Sequence, residues 1–114
     1  MILDLSNFET ENVKDLSGTF YGSWLLLSID VSHFDTSKVT RMDNMFSGCE
    51  SLKSIDISSF NLENVISMQS MFQECTELEH IKFNDSTLTK NLEYMDSMFD
   101  HCFSLTSLNT NKHF

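Results

Sequence analysis

The nine residues RMDNMFSGC, 41–49, set Met42, Met45, Phe46 and Cys49 at intervals of three and four, which is one face of a helix by spacing and a set of soft ligands by chemistry. The same shape returns as SMQSMFQEC at 67–75 and YMDSMFDHC at 94–102, so one explanation has to serve all three segments. In the equivalent stretch near the start of the chain, the places of Met42, Met45 and Cys49 are taken by Leu16, Thr19 and Ser23. Those replacements keep a small or apolar filling and discard sulfur, which a packed core tolerates and a copper site does not. The stripe is therefore read as core, and no metal or other cofactor is expected. Cys49, Cys75 and Cys102 fall one step apart, within the reach of a disulfide, but three is an odd number and Ser23 fills the same place. Free buried thiols are expected.

Outward from these segments the chain keeps matching itself. Phe20, Phe46, Phe72 and Phe99 follow at steps of 26, 26 and 27, and Phe8, Phe34 and Phe60 at steps of 26. Leu3, Ile29, Ile55, Ile81 and Leu108 form a further column, and Leu16, Met42, Met68 and Met95 another. The one extra residue falls in NDSTLTKN, 84–91, where an insertion suggests a loop. A single domain over 1–114 is expected, with copies at about 2–27, 28–53, 54–79 and 80–106 and a partial one at 107–114.

Each copy opens on an apolar–polar–apolar triplet, LDL at 3–5, IDV at 29–31, IDI at 55–57 and IKF at 81–83, the period-two mark of a strand with one buried face. A polar turn follows, then the Met-Phe stripe, whose spacing predicts a short helix. The fold class expected is an α/β repeat solenoid, one short parallel strand and one short helix per turn of about 26 residues. A lone copy has too little apolar surface to offset the ordering of its backbone, at roughly 1–2 kcal/mol per residue, so the copies are expected to stack. With no proline in the chain, the breaks rest on Ser, Asn, Asp and Thr clusters such as SNFETEN and HFDTSK.

Seven Lys and Arg against 17 Asp and Glu give a net charge of −10, a field that repels a phosphate backbone, and no basic patch offsets it. No nucleic-acid partner is expected. The longest apolar run, Trp24-Leu25-Leu26-Leu27, is far too short to cross a membrane, so no membrane insertion is expected of this segment. Nothing before Leu3 resembles a signal peptide.

For catalysis the nearest constellation is His101 beside Cys102, with Glu74 in the same column as His101 one copy earlier. A thiol at a buried position has a raised pKa rather than the lowered one a nucleophile needs, so an exposed Glu74–His101 pair is the reading, and no enzyme is expected. The outward strand positions line up instead as Asp4, Asp30, Asp56, Lys82 and Asn109. Two residues earlier stand Ile2, Ser28, Ser54 and His80, followed by Thr106 or Ser107 depending on where the extra residue is counted. Asp4, Asp30, Asp56, Lys82, Ser28, Ser54 and His80 are the candidate ligand-binding residues. The carboxylates either attract a basic partner or accept bonds from the turn that follows, at Ser6, Ser32 and Ser58.

The stretch FDTSKVTRMDNMFSGCESLKSIDISSF, 34–60, resembles the 26-residue repeat of bacterial surface proteins, the BspA-like type of leucine-rich repeat also frequent in mycoplasmal lipoproteins. The likeness runs through residues 2–110. It implies a leucine-rich-repeat-like right-handed coil in a protein of the cell surface or extracellular space, concerned with adhesion and protein binding. Copy one departs from the pattern at Thr19, Ser23 and Trp24, and copy four lacks the successor of Phe60. Two functions follow as expectations: a recognition module for a protein partner, or a spacer segment of a longer surface protein with no ligand of its own. Exposed ends make end-to-end self-association a further expectation. The abrupt stops at both termini fit either a fragment of a longer array or a small stand-alone product.

Overall fold

Segment 41–50 leaves the helical path at Asn44 and Gly48, whose φ angles are +57° and +77°. The same two places are left-handed in the other segments: Gly18 and Gly22, Ser70 and Glu74, Ser97 and His101. In this computed structural model, which describes residues 3–84 and 89–109, the described residues contain no helix at all. The expected helices are corrected to four turn segments, 15–24, 41–50, 67–76 and 94–103.

The backbone bonds explain the correction. The N–H groups of Met42, Asn44, Phe46 and Gly48 donate to the carbonyls of Ser67, Gln69, Met71 and Gln73 in the next segment, at 2.9, 2.9, 2.9 and 2.8 Å. Those of Met45, Ser47 and Cys49 donate three residues back, to Met42, Asn44 and Phe46, at 3.3, 3.2 and 3.1 Å. A helix sends every N–H four residues back and tolerates no left-handed residue in its interior. Here alternate amides turn outward to a neighbouring segment, and a left-handed residue every fourth position makes that possible. Met42, Met45, Phe46 and Cys49 still face the interior, and all four are fully buried. A turn path of period four and a helix of period 3.6 bury the same residues over so short a stretch.

The strands are also fewer than the triplets suggest. Strand β1, Ser54–Asp56, β2, His80–Lys82, and β3, Ser107–Asn109, form one parallel sheet in that order. Register pairs Ser54 with His80 and His80 with Ser107, which places Ser107, not Thr106, in the row of His80. LDL at 3–5 and IDV at 29–31 carry the same alternation and form no strand. A three-residue strand has few ladder bonds to hold it, so the same triplet is marginal at each place and depends on a paired neighbour. The leucine-rich-repeat-like solenoid of one strand and one helix per turn is therefore not the fold. A short open sheet and the bonded turn segments take its place. The loop expected at NDSTLTKN lies partly outside the described residues, at 85–88, as does the partial copy beyond Asn109.

The interior lies between sheet and turn segments, and its aromatic rings pair across the segments. Phe20, Phe46, Phe72 and Phe99 have successive ring centroids 5.5, 5.6 and 6.0 Å apart with interplanar angles of 15°, 3° and 4°. Phe34 and Phe60 stack in a second line at 6.3 Å, and Phe8 tilts against Phe34 at 5.7 Å. Two buried hydroxyls bond across neighbouring stretches. Thr10 Oγ1 accepts the N–H of Asp35 at 2.8 Å, and Thr36 Oγ1 accepts that of Asn61 at 2.7 Å. Burial of those hydroxyls costs little because each is bonded. The molecule measures 32 × 29 × 20 Å, and among the described residues no helix is long and apolar enough to cross a membrane.

Candidate recognition face

Alternation within β1 and β2 turns Ile55 and Ile81 inward and leaves Ser54, Asp56, His80 and Lys82 exposed on the opposite face. A shallow groove of about 440 Å³ runs along this face. Ser28, Ser54, His80 and Ser107 line one side of the row, and Asp56 and Lys82 belong to the next. Five of the seven candidate residues are thus brought together at the groove: Ser28, Ser54, Asp56, His80 and Lys82. Asp4 and Asp30 do not line it.

The carboxylates are engaged by their own turns. Asp30 Oδ1 accepts the backbone N–H of Ser32 at 3.0 Å and its hydroxyl at 2.6 Å. Asp4 accepts the N–H of Ser6 at 3.0 Å, and Asp56 that of Ser58 at 2.9 Å. These bonds favour the charged form and hold all three carboxyls below the ordinary value of 3.8. At Asp56 the serine hydroxyl and amide contribute most, the Lys82 ammonium pulls the same way, and the Asp30 charge pushes back. Asp15 and Asp35 repeat the device with Ser17 and Ser37. His80 Nε2 stands 4.0 Å from the Glu79 carboxylate, and both side chains are about half exposed.

Other candidates separate under the geometry. Met42 and Met45 are buried side by side with the aromatic columns, and each thiol faces a carbonyl of the preceding segment. Cys49, Cys75 and Cys102 donate to the carbonyls of Phe20, Phe46 and Phe72 at 3.4, 3.1 and 3.0 Å, and all three are free thiols. Burial pushes Cys49 up to about 11 and raises Cys75 and Cys102 as well. A thiol held protonated in this way is a poor nucleophile. The exposed Glu74–His101 pair is not formed: His101 Nδ1 instead meets Asp100 at 3.3 Å, and its ring sits edge-on to Phe103 at 5.4 Å.

Two features went unread in the sequence. Gly18, Gly22, Asn44 and Gly48 occupy left-handed positions four apart, a signal visible as paired turn-forming residues in the first two segments. Trp24, Leu25 and Leu27 are more than half exposed beside the fully buried Leu26, where the next copy carries Glu50, Ser51 and Lys53.

Comparison with known families gives one assignment. The chain belongs to the family described as Mycoplasma protein of unknown function, DUF285, whose model matches residues 1–112. No curated protein and no solved structure matches it. The resemblance to the BspA-like surface-protein repeat is corrected on both counts: the family matched is this one, and the strand-and-helix coil that the resemblance implied is absent from the described residues.

Proposed function

We propose that this chain is a non-enzymatic recognition module that takes an extended segment of a partner protein along the β1–β3 face. The observation that supports this reading is the groove itself, with Ser54, His80 and Ser107 in register across three strands beside the charged pair of Asp56 and Lys82. Side chains aligned at strand spacing, roughly 4.8 Å, suit a partner whose own polar groups recur along an extended backbone. Hydroxyls and an imidazole offer both donors and acceptors there, and the adjacent opposite charges select for orientation rather than bulk affinity.

A second reading, a spacer with no ligand, draws support from the carboxylates, since Asp4, Asp30 and Asp56 each spend a lone pair on their own turn. A random peptide library selected on the immobilised protein separates the two. On the recognition reading, selected peptides lose binding to a Ser54→Arg, His80→Glu variant and keep it with Asp4→Lys, which lies off the groove. Selection of nothing above background, or of peptides indifferent to Ser54 and His80, would leave the spacer reading standing.

A further inference from the structure

Among the described residues, each end of the series of turn segments presents an open row of backbone groups. Among the described residues the N–H groups of Met95, Ser97, Phe99 and His101 have no acceptor, whereas their counterparts at 42, 44, 46 and 48 and at 68, 70, 72 and 74 all donate to a following segment. At the other end, among the described residues, the carbonyls of Asp15, Ser17, Thr19 and Tyr21 have no donor. Their counterparts at 41, 43, 45 and 47 accept from Leu16, Gly18, Phe20 and Gly22 at 2.8–3.0 Å. Both rows follow the same alternation, so four donors and four acceptors share one spacing.

Side chains agree with the backbone. Tyr94 and Met95 are 44% and 41% exposed, while Met42 and Met68, in the column of Met95, are at 0%. Two charged columns run across the segments, Glu11, Ser37, Glu63, Lys90 and Lys14, Thr40, Ile66, Glu93. Lys90 already reaches Glu63 one step back, at 3.8 Å. One step forward would set Lys90 against a Glu11 and Glu93 against a Lys14, opposite charges in both columns.

We propose that this chain associates head to tail with a second copy, residues 94–101 of one molecule receiving the carbonyl row of residues 15–21 of the next. The joint repeats the interval by which segments 15–24, 41–50, 67–76 and 94–103 already succeed one another. Strand β3 extends the sheet one step past β2 into the place that Leu3 and Asp4 of the incoming copy would take, so the joint requires those two residues, which form no strand, to move aside. Because the two surfaces differ, each joint leaves one row free at either end of the pair, and a joint that repeats the internal step adds copies in line. Its donor and acceptor rows lie on the turn segments and not on the groove of the β1–β3 face.

Sedimentation velocity of the full chain over a concentration series tests the joint, using Lys14→Glu, Glu93→Lys and the double exchange. The wild type is expected to pass from monomer to dimer and longer species as concentration rises. Each single exchange should weaken association about fivefold, and the double exchange should restore it. Glu93→Lys makes the chain less negative than its net −10, so general charge repulsion alone would strengthen association in that variant. A wild type that stays monomeric, a closed dimer that grows no further, a Glu93→Lys variant that associates as well as wild type, or a folded double exchange without recovery would each overturn the proposal.

Discussion

At Gly48 the left-handed backbone and the close approach of the neighbouring segment both disfavour a side chain, although Glu74 and His101 carry one at the same place in later segments. Its φ is +77°, and a Cβ built there would lie 3.3 Å from the Cα of Gly22. Gly48→Ala should therefore cost about 1–2 kcal/mol from the backbone alone, with the contact adding to it, and a chemical denaturation midpoint will register the loss. An unchanged midpoint would mean that the turn is not left-handed at that residue. A second residue-scale effect concerns pH. Asp30 is held below 3.8 chiefly by the Ser32 hydroxyl and amide, so its contribution is present above that value and is lost as pH falls through the depressed pKa. Ser32→Ala should move the Asp30 carboxyl titration, followed by NMR, back toward 3.8. A titration that does not move would remove the hydroxyl from the explanation. Cys49 acts at the other extreme: the unfolded thiol ionises near 9.0 and the buried one near 11, so stability falls as pH rises across that interval.

Among the elements, the turn segments show how far a spacing can be trusted. The columns of Phe20, Phe46, Phe72 and Phe99 were legible because buried aromatic residues at a fixed interval have no other economical explanation, and their rings do pair. The helix was a misreading because intervals of three and four bury Met42, Met45, Phe46 and Cys49 on either path. What distinguishes the paths is the residue between them, and there Asn44 and Gly48 spoke for a left-handed turn while Ser70, Glu74, Ser97 and His101 concealed it. The strand triplets failed differently. IDV at 29–31 has the alternation of IDI at 55–57, yet pairing with a neighbour decides which becomes a strand. Of the site, the row of Ser54 and His80 and the neighbouring row of Asp56 and Lys82 were visible from their spacing, while the Asp carboxylates divided between groove and turn in a way only geometry resolves. Phe72 tests the element most directly: it lies between Phe46 and Phe99 and is fully buried, so Phe72→Ala should lose about 3–5 kcal/mol in equilibrium unfolding. A loss under 1 kcal/mol would show that the rings do not form a continuous column.

Taken whole, the molecule is a set of turn segments bonded edge to edge, with a three-stranded sheet beside them and an apolar interior between. Its family, of unknown function, is matched over 1–112, nearly the full chain. The whole-molecule arrangement makes both proposed surfaces consequences of one feature, the succession of like backbone groups at a fixed interval: sideways it aligns the groove residues, and lengthwise, among the described residues, it leaves complementary rows on the first and last turn segments. That succession is measured most directly by NMR scalar couplings across hydrogen bonds, which connect an amide nitrogen to the carbonyl carbon that accepts its proton. Couplings from Met42, Asn44, Phe46 and Gly48 to Ser67, Gln69, Met71 and Gln73 are expected. Couplings from those amides to carbonyls four residues earlier in the chain would instead restore the helix and contradict the structure described.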